Sequence, residues 1–206
     1  HPMSIVSFKS AETSTEFEVE TAYRQLKEAD YFLIGPGSPT YTVLNLQHTN
    51  IPDIIIKGVE SGACLTAASA AALTVGSHTL PVYEIYKVGQ SLHWIDGLDI
   101  LSHFGFNMVV IPHWNNAEGG THDTRFCYMG GSRFEKLKAL LPKDTIFVGL
   151  DEHTACIMDL ETQTADIKGL GNITIQQGSR ELSFGKGKTI PLEVFKEGIK
   201  QSPEKS

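Results

Sequence analysis

Short apolar runs alternate with helical segments over the first two thirds of the chain, and this alternation restricts the fold more than any other feature. Tyr31–Ile34, residues 64–68 and residues 108–114 are runs of strand length. Continuous apolar runs of that length suit strands buried on both faces, as in parallel sheets. Between them, residues 15–28 carry rough helical spacing through Phe17, Val19, Ala22 and Leu26, and residues 41–62 read as one or two helices. Residues 131–142 form a further helix closed by Pro142. After it come a strand, a turn at residues 151–153 and a second strand; residues 164–189 alternate and are Gly-rich, as in hairpins. Strands alternating with helices predict a single α/β domain over residues 1–206, a three-layer sandwich with a mostly parallel central sheet. In such sheets ligands bind beyond the carboxyl ends of the strands. Three loops fall there: residues 35–40, Ser69, and residues 113–124.

Composition narrows the function. A chain of 206 residues with 41% apolar and 20% charged residues has the makeup of a soluble globular domain. The net charge of -7, with no basic cluster, disfavours nucleic acid and anionic membrane as partners. No apolar run reaches the roughly 18 residues of a membrane span, and no signal peptide is visible. Cys64, Cys127 and Cys156 make an odd count without a CxxC pair, which points to reduced thiols in the cytoplasm. The opening His-Pro-Met reads as a remnant ahead of Met3, and His1 is given no role; the last residues, from Lys196 onward, read as frayed.

The stretch "CLTAASAAALTVG" places one hydroxyl, Ser69, among the smallest side chains. A residue on a tight strand-to-helix turn projects its side chain out of the sheet, and its neighbours must be small because the turn is crowded. Here Ala67, Ala68, Ala70 and Ala71 flank the serine. A helix starting at Ala70 would direct backbone N–H groups at an oxyanion formed on Ser69. The competing reading is a serine in a closely packed Ala-rich helix.

A serine nucleophile needs a base, most often His. His113 ends the third apolar run, and Trp114, Asn115 and Asn116 follow it in "IPHWNNAEGGTHDTRF". Glu84, fifteen residues after Ser69, is a candidate to orient the imidazole; "VYEIYKVG" equally reads as an ordinary strand with Glu84 paired to Lys87. "GPGSPTY" either supplies a second oxyanion donor at Gly37 N–H or is a tight turn. It lacks GxGxxG and Walker spacing, so no cofactor is expected. His113, Glu118, His122, Asp123 and His153 are metal-ligand types, but neither HExxH spacing nor a Cys/His pair occurs, so no metal is expected.

Together these segments resemble peptidase family S51, which includes aspartyl dipeptidase (peptidase E) and cyanophycinase, over about residues 29–158. They are most similar to members described as type 1 glutamine amidotransferase-like. The resemblance implies the class I glutamine amidotransferase-like (flavodoxin-like) fold. It implies Ser69 as nucleophile, His113 as base, Glu84 by spacing as the acid, and Gly37 and Ala70 N–H as oxyanion donors. Asn115, Asn116, Glu118 and Arg125 are the substrate-binding candidates, with Arg133 beside Arg125. The implied substrate is a small peptide or amide, and Ser instead of Cys at the elbow argues against glutaminase chemistry. The sequence departs from the family where alanines replace both elbow glycines and Asp123 stands in place of Glu. The region before Ala29 is much shorter than the family's N-terminal half. Either the first βα units are absent from this chain, or a second copy in a homodimer, or another partner, completes the sheet. The alternative to an enzyme is a catalytically inactive ligand-binding or interaction module on the same scaffold.

Overall fold

The computed structural model describes residues 3–6 and 13–199. The readings of His1 and of residues 200–206 lie outside the described residues. Helix α1 (Glu16–Lys27) starts at a Thr15/Glu18 capping box, in which each side chain satisfies the other's backbone N–H. Strand β1 (Tyr31–Ile34) leads through the Gly35–Pro36–Gly37 loop to α2 (Pro39–Leu46), whose N-cap Ser38 accepts from Tyr41 N–H. Helix α3 (Ile51–Glu60) buries Ile51, Ile54 and Ile55. It then returns the chain to β2 (Cys64–Ala67), which pairs in parallel with β1, Ile34 opposite Ala67.

Ser69 separates β2 from α4 (Ala70–Thr74), a short helix buried at every residue. The small strands β3 (His78–Thr79) and β4 (Ile95–Asp96) pair around α5 (Val82–Tyr86). Thus the segment that also reads as a strand around Glu84 is a short helix, entered through Pro81. Strand β5 (Met108–Ile111) is buried along its whole length. A long polar loop leads to α6 (Gly130–Lys138), and the chain comes back in β6 (Ile146–Leu150), parallel to β5 with Ile111 opposite Gly149. The remaining strands are β7 (Thr154–Asp159), β8 (Thr164–Gly169), β9 (Asn172–Gln177), β10 (Arg180–Gly185) and β11 (Thr189–Pro191), before α7 (Glu193–Glu197).

The fold is α/β, but among the described residues there is no central, mostly parallel sheet. The sheets are small and mixed: β1–β2 alone, β10–β9–β6–β5, β11–β8–β7, and β3–β4. Among the described residues, parallel pairing is confined to β1–β2 and β5–β6, where helices carry the chain back. After β6, the tight turns of β7–β8 and β9–β10 require antiparallel pairing, and β9 and β11, reached through intervening strands, add antiparallel to β6 and β8. Between the two parallel pairs the edge of β5 is met by the turn after α4, where Ser77 N–H donates to Met108 O (3.1 Å).

The layering is nevertheless that of a sandwich around β5–β6. Met108, Val110, Ile146 and Val148 face a core shared with Phe32, Ile55, Ile175 and Phe195. Val109, Ile111 and Phe147 face the other way, toward Leu73, Leu80, Trp114, Phe134 and Leu137. Strand residues alternate faces, so one continuous apolar run fills both cores. Among the described residues no helix is long and apolar enough to cross a membrane. The three cysteines carry free thiols, Cys64 exposed and Cys127 buried.

Candidate active site

Parallel strands bring their carboxyl-terminal loops to one end, and the site lies there. Ser69 is separated from β2 by Ala68 alone and has φ 54° and ψ -113°, a conformation rare for a residue with a Cβ. Holding it costs on the order of 1–3 kcal/mol, which the surrounding structure must supply. The alanines make this sterically feasible: Ala70, Ala71 and Ala72 are buried, and Ala71 and Ala72 N–H close tight turns onto Ala68 O (3.1 Å) and Ser69 O (3.0 Å). Ala70 is the first residue of α4, so its N–H has no acceptor within the helix. Gly37 lies in the loop leaving β1, the strand that pairs with β2 so that Ile34 is opposite Ala67.

His113 follows β5 and also has positive φ, 53°. Its backbone is fixed by tertiary contacts. Trp114 N–H donates to Leu150 O (3.0 Å), and the indole packs edge-to-face on Phe126 (4.6 Å) and Phe134 (5.3 Å). Gly149 makes room for it, since a Cβ there would sit 2.2 Å from Trp114 Cδ2. Cys127 N–H donates to His113 O (3.2 Å) from a turn in which Phe126, Cys127 and Tyr128 are all left-handed. Three consecutive non-glycine residues of that hand are uncommon.

Ser69 and His113 meet: Ser69 Oγ lies 2.9 Å from His113 Nε2. The other ring nitrogen, Nδ1, lies 3.1 Å from Glu152 Oε1. Asn116 Nδ2 donates to the same oxygen (2.7 Å), and Asn115 Oδ1 accepts from Glu152 N–H (2.8 Å). The Asn116 donor, with lesser help from His113, holds the Glu152 carboxyl below its ordinary range. An ionised carboxylate only accepts, so Nδ1 carries the imidazole proton and Nε2 accepts from the Ser69 hydroxyl. The imidazole and carboxylate side chains are 30% and 27% exposed, open enough to be reached from solvent.

No family model matches the sequence, and no curated protein matches it. Solved structures do. A peptidase from an acI-B1 Actinobacterium aligns with a TM-score of 0.66 at 24% identity over 88% of this chain. The chain spans 66% of the length of that peptidase. A protein of Listeria monocytogenes EGD-e assigned as a peptidase E aligns with a TM-score of 0.46 at 12% identity, over 87% of this chain and 67% of that one. The fold is that of the actinobacterial peptidase.

The other sequence-designated residues are placed as follows. Glu84 lies in α5, and its Oε2 is buried without a hydrogen-bond partner among the described residues, while His113 Nδ1 faces Glu152. Spacing from Ser69 leads only to that short helix, whereas the loop after β6 runs next to the loop after β5 and delivers Glu152. Sequence reasoning missed Glu152 because residues 151–153 read as a turn. The carboxyl-end rule, applied to this strand as to the others, would have found it. Asn115 Oδ1 and Asn116 Nδ2 both engage Glu152.

Glu118 Oε2 accepts from Tyr128 O–H (2.8 Å), which pushes the phenol up to about 12. The Tyr128 ring stands 6.3 Å from that of His113. Arg125 is held by Asp123 through Nε (2.9 Å) and Nη2 (2.8 Å), and Asp123 also accepts from Gly131 N–H at the start of α6. These bonds hold the Asp123 carboxyl far below its ordinary range. Arg133 donates to Met129 O and Tyr128 O, bracing the left-handed turn. A cavity of about 340 Å³ opens beside it, bounded by Tyr86, Thr124, Met129 and Arg133. Among the described residues, His113, His122 and His153 form no cluster able to hold a metal ion.

Proposed function

We propose that this chain is a serine hydrolase of the S51-like peptidase type, cleaving small peptide or amide substrates with Ser69, His113 and Glu152. The observation that carries this reading is the continuous line from Ser69 Oγ to His113 Nε2 (2.9 Å) and from Nδ1 to Glu152 Oε1 (3.1 Å). Ser69 Oγ attacks the substrate carbonyl carbon while its proton passes to Nε2. Glu152, ionised and hydrogen-bonded, stabilises the imidazolium, which then protonates the leaving amine. In this reading Ala70 N–H and Gly37 N–H serve as the oxyanion donors. Water repeats the sequence on the acyl-enzyme, with His113 again as base. In this reading the thiols stay reduced in the cytoplasm and take no part.

The alternative, an inactive binding module on the same scaffold, is disfavoured by the strained Ser69 backbone and the short Ser69–His113 bond. Strain of that kind clusters at active sites. A fluorophosphonate probe tests the reading. Wild type is labelled on Ser69, and Ser69→Ala and His113→Gln are not. An unlabelled wild type, or equal labelling of Ser69→Ala, overturns it. A dipeptide screen with Ser69→Ala as control then identifies the substrate.

A further inference from the structure

We infer that Asn116 is a positioning residue: its carboxamide fixes the Glu152 carboxylate against His113 Nδ1 and thereby sets the imidazole tautomer that leaves Nε2 free to accept from Ser69. The inference rests on the hydrolase reading for its kinetic consequence, but the geometry stands independently.

Asn116 is 1% exposed, and every polar group it carries is engaged within the protein. Its N–H donates to His113 O (3.3 Å), and its carbonyl accepts from the buried Thr124 hydroxyl (3.3 Å). Side-chain Oδ1 accepts from Glu118 N–H (3.2 Å), and Nδ2 donates to Glu152 Oε1 (2.7 Å). Rotating the carboxamide by half a turn would set Oδ1 against a carboxylate oxygen and Nδ2 against a backbone N–H. Both contacts are repulsive, so the amide orientation is determined by its partners. Glu152 is thus gripped twice, at its backbone by Asn115 and at the oxygen facing the imidazole by Asn116.

A carboxylate held in this way presents a fixed acceptor to Nδ1. Without Asn116, the Glu152 side chain is left with the His113 contact alone and is free to change rotamer toward solvent. The imidazole proton is then no longer tied to Nδ1. The other titratable groups near the pair are His153 beside Glu152, Glu118 through its Tyr128 bond, and Cys127, whose thiol burial pushes up to about 12. None of them donates to Glu152 Oε1 in place of Asn116.

The test compares Asn116→Ala and Asn116→Leu with wild type by ring ¹⁵N NMR of His113, assigned through its absence in His113→Gln. The Leu variant is close to the carboxamide in shape and places no second carboxylate against Glu152, so it separates loss of the donor from the opening of a cavity. Wild type gives the Nδ1–H tautomer, and both variants give a mixture of tautomers. Fluorophosphonate labelling of Ser69 falls on the order of tenfold or more, the scale of losing an orienting partner, with circular dichroism unchanged. A substrate, once known, shows the loss in kcat and not in KM. If His113 keeps the wild-type tautomer in a folded variant, or labels at the wild-type rate, the inference is overturned. If wild type itself is not labelled, the hydrolase reading falls, and the tautomer comparison alone decides the role of Asn116.

Discussion

Ser69 and His113 both sit with positive φ at the end of a parallel strand, yet opposite means hold them there. Around Ser69 the structure removes obstacles. Its neighbours are alanines, and a short, wholly buried helix follows at once. Around His113 the structure adds props: an indole set edge-on against two mutually stacked phenyl rings over Gly149, two asparagines on Glu152, and a left-handed turn that donates to the His113 carbonyl. The Ser69 bend is permitted locally, and the His113 bend is enforced from a distance. The two halves of one hydrogen-bonded site should therefore fail differently.

The largest expected effect is on the propped side. Trp114→Ala removes a buried indole and costs about 3–5 kcal/mol in urea unfolding, and labelling of Ser69 slows in the protein that remains folded. Labelling at the wild-type rate would break the contrast, because His113 would then not need its prop. Next comes Gly149→Ala, whose new Cβ meets Trp114. Overpacking there costs roughly 1–3 kcal/mol, again with slower labelling.

On the permissive side the sign reverses. Ser69→Gly relieves backbone strain and adds a modest entropic penalty in the unfolded chain, for a net gain of up to about 1 kcal/mol, while labelling disappears. A loss of stability would mean that the elbow carries no strain. The smallest effect sharpens the comparison at the acid. The Glu152 carboxyl is held below the ordinary value of 4.5, so its contribution to stability is present above that value and fades as the pH falls through the lower folded one. Unfolding midpoints of wild type should drop toward those of Glu152→Gln over that acid range, and a constant gap between them would contradict the assignment.

The same contrast explains what the sequence made readable. The Ser69 elbow is legible because its requirement is local, and small residues on both sides of one hydroxyl are visible in a string of letters. His113 is legible as the end of an apolar strand. Glu152 is not, because its role is set by β6 lying beside β5 in register, a relation 39 residues long in sequence. The left-handed run at Phe126, Cys127 and Tyr128 carries no glycine to announce it. Its geometry comes from Arg133 and from bonds to His113 and Trp114. Strand positions read well from apolar runs. Pairing direction does not, since β7 and β8 intervene before β9 comes back antiparallel to β6.

The level ends of the two parallel ladders have a practical consequence for engineering. Everything assigned to chemistry leaves from the carboxyl ends of β1, β2, β5 and β6. The opposite rim, where the exposed Lys143–Asp144 turn enters β6, is a separate surface of the same rigid strands. A tag, a linker or a fluorophore inserted at that turn would travel with the scaffold without touching the site.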